Sequence, residues 1–317
     1  MAGASLLALL DDIASILDDV ATMTKAATHK TAGVLSDDLA LNAQQVSGVR
    51  ASRELPVVWS VAKGSFINKL VLIPAALLID YFAPWLIVAL LMMGGAYLCF
   101  EGVEKLVHTY QHRKDKKSAT PQQQIMASAP APSEAEILAT EKKKIRGAIR
   151  TDFILSAEII VIALNTVQNN TLLIKAMVLL AVGIVITIGV YGIVAGIVKL
   201  DDMGYWMVRR SADETSVRHK FGMLLVNAAP YLMKFLSVVG TIAMFLVGGG
   251  IIAHNIAMLH HMETDAADWI TTTPAVGELL GAVTPSFMNI IIGLVVGTLV
   301  LLAVNFIQSI LGKNKAH

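Results

Sequence analysis

The chain has 317 residues, of which 55% are hydrophobic and only 15% charged, and its mean hydropathy is +0.65. A soluble domain carries roughly 25% charged residues, so the composition excludes an ordinary water-soluble protein and, over most of the chain, disorder. Lys and Arg number 25 against 24 Asp and Glu, a net charge of +1 that gives no general attraction to nucleic acid, and the single cysteine, Cys99, excludes a disulfide scaffold.

The chain opens without a basic n-region, so no cleavable signal is expected. Residues 1–24 read as an amphipathic helix. Leu6, Leu9, Leu10, Ile13, Ile16, Leu17 and Val20 fall on one face, with Asp11, Asp12, Asp18 and Asp19 on the other. A helix lying on anionic lipid normally carries Lys and Arg on its polar face. The acidic face therefore predicts docking on protein, with the four Asp as candidate cation or proton ligands. A face solvated and paired with nearby basic residues is the plainer alternative. Their spacing matches no metal motif. Asp37 would cap a separate helix beginning at Leu39.

A spanning helix needs about 20 apolar residues. The first membrane half, 25–107, offers spans at 66–82 and 84–107, separated by a turn at Asp80, Tyr81 and Pro84. The linker 108–150 is basic and rich in Pro, Ala and Gln, and the pair Ser133 and Glu136 marks a helix start near its end. The second half, 151–312, offers spans at 152–169, 172–199, 222–253 and 285–311. The expected fold is all-α, a polytopic bundle of about six transmembrane helices plus the N-terminal amphipathic helix. Faint echoes between the halves, such as Leu17-Asp18-Asp19 and Leu200-Asp201-Asp202, suggest an internal repeat.

Basic residues orient the bundle. Segment 105–150 holds ten Lys and Arg, 199–220 holds five, and 254–284 holds none. The first two segments and the C-terminus are then cytoplasmic, and 254–284 faces the opposite side. The alternative topology reads 66–107 as one long broken helix and needs Met1–Met23 to insert, which leaves a basic segment outside.

Two spans carry ionisable groups inside apolar sequence, where exposure to lipid is costly. Glu158 shares a seven-residue stripe with Thr151 and Asn165, and Lys234 shares one with Asn227 and Thr241. Opposite signs make a pair conceivable. Glu158, Lys234, Asn165 and Asn227 are thus the candidate transport residues, with a structural ion pair as the plain reading. His254, His260 and His261 read as an interfacial polar patch, because two adjacent His cannot both face one metal from a helix. Gly192-xxx-Gly196 and Gly293-xxx-Gly297 suit close helix contacts, within the chain or in a homo-oligomer. No phosphate loop, nucleophile elbow, zinc motif or dinucleotide fingerprint is present, so no catalytic residue, metal or cofactor is expected, and the chain is read as a non-enzyme.

The opening Ala-Gly-Ala-Ser-Leu-Leu-Ala-Leu-Leu-Asp-Asp, the stretch Leu-Ser-Asp-Asp-Leu-Ala-Leu-Asn-Ala-Gln-Gln-Val, and the motifs Arg-Glu-Leu-Pro-Val-Val-Trp and Gly-Gly-Ala-Tyr-Leu-Cys-Phe-Glu-Gly resemble the YedI-type bacterial inner-membrane proteins. The resemblance runs along almost the whole chain. It implies a multi-pass inner-membrane protein and transfers no functional residue. The residues themselves point to a transporter or channel for a small solute or ion, with proton or cation coupling. The alternative is a non-transporting scaffold or assembly factor docking partners through the 105–150 loop.

Overall fold

A computed structural model describes residues 2–46, 53–118, 134–211, 213, 216–271 and 277–310. Among these, all regular structure is helical: α1 Ala2–Val46, α2 Glu54–Phe82, α3 Pro84–Ser118, α4 Glu134–Thr166, α5 Leu172–Val198, α6 Leu200–Arg209, α7 Val217–Asn255, α8 Ala257–Thr271 and α9 Gly277–Ile310. Among the described residues, five helices are long and apolar enough to cross a membrane: α2, the Pro84–Tyr110 part of α3, α5, α7 and the Leu280–Ile310 part of α9. Helices of this kind suggest a membrane-embedded protein. Their outward faces are apolar, with Leu299, Leu302 and Phe306 of α9 all exposed, a surface suited to lipid rather than water. The expected span 152–169 falls on α4, which is not among the five. Asp152, Glu158 and Asn165 dilute its apolar run.

Residues 66–107 form two helices. Ala83 breaks the chain between α2 and α3, and Pro84, which has no N–H to lose, starts the next helix. Thr171 caps α5, its side chain accepting from the Ile174 N–H. One turn on, Lys175 pairs with Asp80 at 3.0 Å and ties the start of α5 to the end of α2.

The N-terminal helix does not stop near residue 24 but continues to Val46, straight through Asp37. No proline interrupts this stretch, and Gly33 is its only glycine past the third residue. Asp11, Asp12, Asp18 and Asp19 are exposed. So are Leu10, Ile13 and Leu17, at 54%, 45% and 59%, which corrects the expectation that this part docks on the rest of the chain. Cover begins with Val20 and Met23, half-buried against the core, and is complete at Ala27.

The chain forms two compact units, Met1–Ile87 with Lys144–Leu236, and Val88–Lys143 with Ser237–His317. Each draws on sequence from both sides of the 108–150 linker. In the first unit α5 is the central helix, packed against α1 and α2, with Val178, Val182, Val194, Val61 and Leu164 in the core. The short α6 lies at its basic end. There Trp206 carries the guanidinium groups of Arg210 and Arg218 at 5.2 and 5.0 Å from its ring centre. A hydrogen bond to Asp202 pushes the Lys199 ammonium above its ordinary pKa. In the second unit α8 packs along α9.

Candidate functional site

Four helices of the first unit each place two polar residues one turn apart on a single face: Asp38 and Asn42 on α1, Ser65 and Lys69 on α2, Asp152 and Ser156 on α4, Thr187 and Tyr191 on α5. The four faces meet. All eight residues are buried, none with more than 8% of its surface exposed.

Lys69 and Asp152 are the charged centre, joined through two hydroxyls. The Lys69 ammonium donates to Ser65 Oγ at 2.8 Å and to Ser156 Oγ at 2.9 Å. Ser65 in turn donates to Asp152 Oδ1 at 3.0 Å, and Ser156 donates to Asp152 Oδ2 at 3.2 Å. Each serine therefore accepts from a cation and donates to an anion, an arrangement in which neighbouring hydrogen bonds polarise one another. Asn68 adds a donor to Oδ2 at 3.3 Å and also holds the Ile149 carbonyl at 2.8 Å. The Tyr191 hydroxyl lies 2.9 Å from Asp152 Oδ1 and 3.0 Å from Asn42 Oδ1. Asn42 anchors itself by donating to the Asp38 carbonyl at 2.8 Å.

The carboxylate of Asp152 thus has four donors for its roughly four lone-pair sites. That solvation is what a buried ion needs, because an uncompensated one costs several kcal/mol. Tyr191 has one proton and two acceptors within reach, so its hydroxyl hydrogen has two alternative positions. The hydrogen bonds thus run without a break from the Lys69 ammonium through a serine to Asp152, Tyr191 and Asn42.

A cavity of about 10 Å³ adjoins the network, lined by Asp38, Asn42, Lys69, Asp152, Ser156 and Tyr191 among others. This is close to the smallest space that holds one water. Thr187 and Tyr191 also line an apolar groove of about 770 Å³, together with Trp59, Phe66, Ile184 and Gly192. These two side chains therefore stand between the groove and the buried charges.

Over residues 4–303 the chain matches the model of a family described as a protein of unknown function, DUF808. The chain belongs to this family. No curated protein and no solved structure gives a match. DUF808 carries no assigned activity, so the chemistry of the site rests on its own atoms.

The residues singled out in the sequence lie elsewhere. Glu158 is half-buried on α4, one residue short of two turns beyond Asp152, while Asn165, Asn227 and Lys234 are exposed. No ion pair joins Glu158 to Lys234 among the described residues. Lys69 and Asp152 escaped notice because each sits near the end of an apolar run, where charge is ordinary. The signal was available in the four i, i+4 polar pairs inside or beside those runs.

Proposed function

We propose that this DUF808 protein is a membrane-embedded conduit or coupling device for protons or a small cation, with Lys69, Ser65, Ser156, Asp152 and Tyr191 as its binding and relay site. The observation that carries the reading is the hydroxyl-bridged Lys69–Asp152 pair beside a water-sized cavity. Intramembrane ionisable groups that face the bundle interior commonly mark ion and proton paths. The cavity's size favours a proton, a water or a small ion over an organic solute. Tyr191, with a proton that can turn toward Asn42 or Asp152, is the natural switch between groove and network.

In the same reading α4 is the sixth span. Its polar face is turned into the bundle, so the length of the helix matters more than its mean hydropathy. The basic segments, with α6 and its Trp206–Arg210–Arg218 cluster, face the cytoplasm at an anionic lipid surface. The C-terminus is on that side, and the kinship is with the YedI-type inner-membrane proteins.

The test is flux. The full chain is reconstituted in liposomes with an internal pH dye or a sodium- or potassium-sensitive dye, and a gradient is imposed. The expected result is flux above that of empty vesicles for one of these ions, lost in Asp152→Asn and reduced in Tyr191→Phe. Wild-type vesicles as tight as empty ones to all three, or undiminished flux in folded Asp152→Asn, would overturn the reading.

A further inference from the structure

The second unit holds a separate group of donor side chains. The chain bends at Ile256, between α7 and α8. The Ile256 N–H reaches back to the Ile252 carbonyl at 3.1 Å, and the His260 N–H bonds the Ile256 carbonyl at 3.0 Å. The bend folds the last turn of α7 toward the first turns of α8. His254 and His260 come together with ring centres 5.6 Å apart. Glu263, three residues after His260, lies on the same face of α8. One donor atom from each of His254, His260 and Glu263 lies within 4.8 Å of the others.

Two further features point to a cation. Glu263 is only 4% exposed, and its Oε2 is buried with no hydrogen-bond partner among the described residues. A buried carboxylate oxygen left in that state is costly, and a bound cation removes the cost. Second, His254 Nδ1 lies 2.9 Å from the Gly250 carbonyl oxygen. An Nδ1–H donating to that carbonyl leaves Nε2 as a lone-pair donor. Fixing the ring through its other nitrogen is the usual second contact of a metal-bound His.

We propose that His254, His260 and Glu263 form a binding site for a divalent metal ion of the zinc class. Two imidazoles and one carboxylate suit zinc and its neighbours rather than calcium or magnesium, which prefer all-oxygen sets. Three protein donors leave a fourth position for water or another ligand, as in open zinc sites. Bonds of about 2.0–2.2 Å would place donors about 3.4 Å apart around a tetrahedral ion. Rotation of the imidazoles about χ1 and χ2 supplies the contraction. The adjacency of His260 and His261 is no obstacle, because the second imidazole comes from His254. His261 lies about 100° further round α8 and belongs outside the site. The metal would clasp the end of α7 to α8 around the bend.

The test uses the purified full chain in detergent, with any affinity tag removed, and Zn²⁺ as the probe. After equilibration with Zn²⁺ and dialysis, metal analysis should find one Zn²⁺ per chain. Co²⁺ in its place should give the visible absorption of a low-coordinate nitrogen–oxygen site. His254→Ala and His260→Ala should each lose the bound metal, while His261→Ala keeps it. Glu263→Gln should lose it too, but because that residue is buried its result counts only if gel filtration and circular dichroism match wild type. A folded wild type that retains no Zn²⁺ overturns the proposal. So does retention by folded His254→Ala and His260→Ala, or equal loss in His261→Ala.

Discussion

The two units bury different things. The first brings eight polar side chains from four helices into one interior, and Lys69, Ser65, Ser156, Asp152, Tyr191 and Asn42 bond one another there. The second brings backbone to backbone. A Cβ on Gly95 would stand 2.9 Å from the Gly248 carbonyl oxygen, and one on Gly293 would stand 2.9 Å from Phe245 Cα. Cβ atoms on Gly249 and Gly297 would collide with the backbones of Asn289 and Cys99. Lipid tails are as apolar as Leu, so burying apolar area does little to join helices in a membrane, and polar bonding and close packing remain as the forces that do. Close backbone packing occurs in both, since a Cβ on Gly204 in the first unit would stand 2.7 Å from the Gly222 carbonyl oxygen, but the large buried polar network belongs to the first unit. The first is sensitive to loss of a charge or donor, the second to gain of a methyl group.

The sharpest way to break the comparison is to remove half of the charged pair. Lys69→Met leaves the Asp152 carboxylate buried without its counter-charge, which should cost about 3–5 kcal/mol. The double change Lys69→Met, Asp152→Asn should cost less than the single one, because no charge is stranded. Thermal or denaturant unfolding in detergent reads both. Strictly additive effects would show that the two serines do not couple the charges.

Tyr191→Phe keeps the ring and removes only the hydroxyl shared by Asn42 and Asp152. A hydrogen bond to a charged group is worth about 1.5–3 kcal/mol, so the loss should fall in that range, with Asp152 still held by Ser65, Ser156 and Asn68. A change near zero would mean that the other three donors suffice.

The counterpart in the second unit is Gly249→Ala. The added methyl meets Asn289 backbone, which cannot rotate away, and overpacking of this kind costs about 1–3 kcal/mol. Gly192→Ala is the control. Nothing lies within 4 Å of a Cβ at Gly192 or Gly196, and alanine favours a helix over glycine. It should be neutral or slightly stabilising in the monomer. The two Gly-xxx-Gly motifs look alike in sequence, yet one is filled by neighbouring backbone within the chain and the other is open. Loss of a dimer in Gly192→Leu, by crosslinking in vesicles, would show that a second copy uses the open motif.

That pair of motifs shows where the sequence stops being informative. Apolar runs were enough to read an all-helical chain, and Pro84 favoured a break between α2 and α3 over one long broken helix across 66–107, a choice that the structure makes. The continuity of α1 through Asp37 was missed because a good capping residue is also tolerated inside a helix when its neighbours are helix formers. The buried network was half legible. Each i, i+4 pair can be read from spacing, but which four faces converge depends on packing between residues more than 80 positions apart, as with Ser65 and Asp152. The His254, His260 and Glu263 cluster was hidden by a bend at Ile256 that no proline or glycine announces.

The smallest effect belongs to the lysine that the sequence made most prominent. Lys234 lies inside the apolar run of α7, between Met233 and Phe235, and its position suggested a buried partner. The side chain is exposed, in the same class as Asn227 on its own stripe, whereas Lys69 is buried at 4%. A long lysine on an outer face can reach along the helix toward a polar boundary and keep its charge solvated. Nothing is stranded when it is removed. Lys234→Met should therefore change stability by no more than about 0.5 kcal/mol, the range of surface substitutions away from special features, and should leave ion flux in vesicles at the wild-type level. The comparison with Lys69→Met, made in the same detergent, isolates burial as the variable, since both changes delete one ammonium from one helix. Equal and large losses from the two would mean that Lys234 has a partner that the single chain does not supply, and a second copy would then be the first place to look.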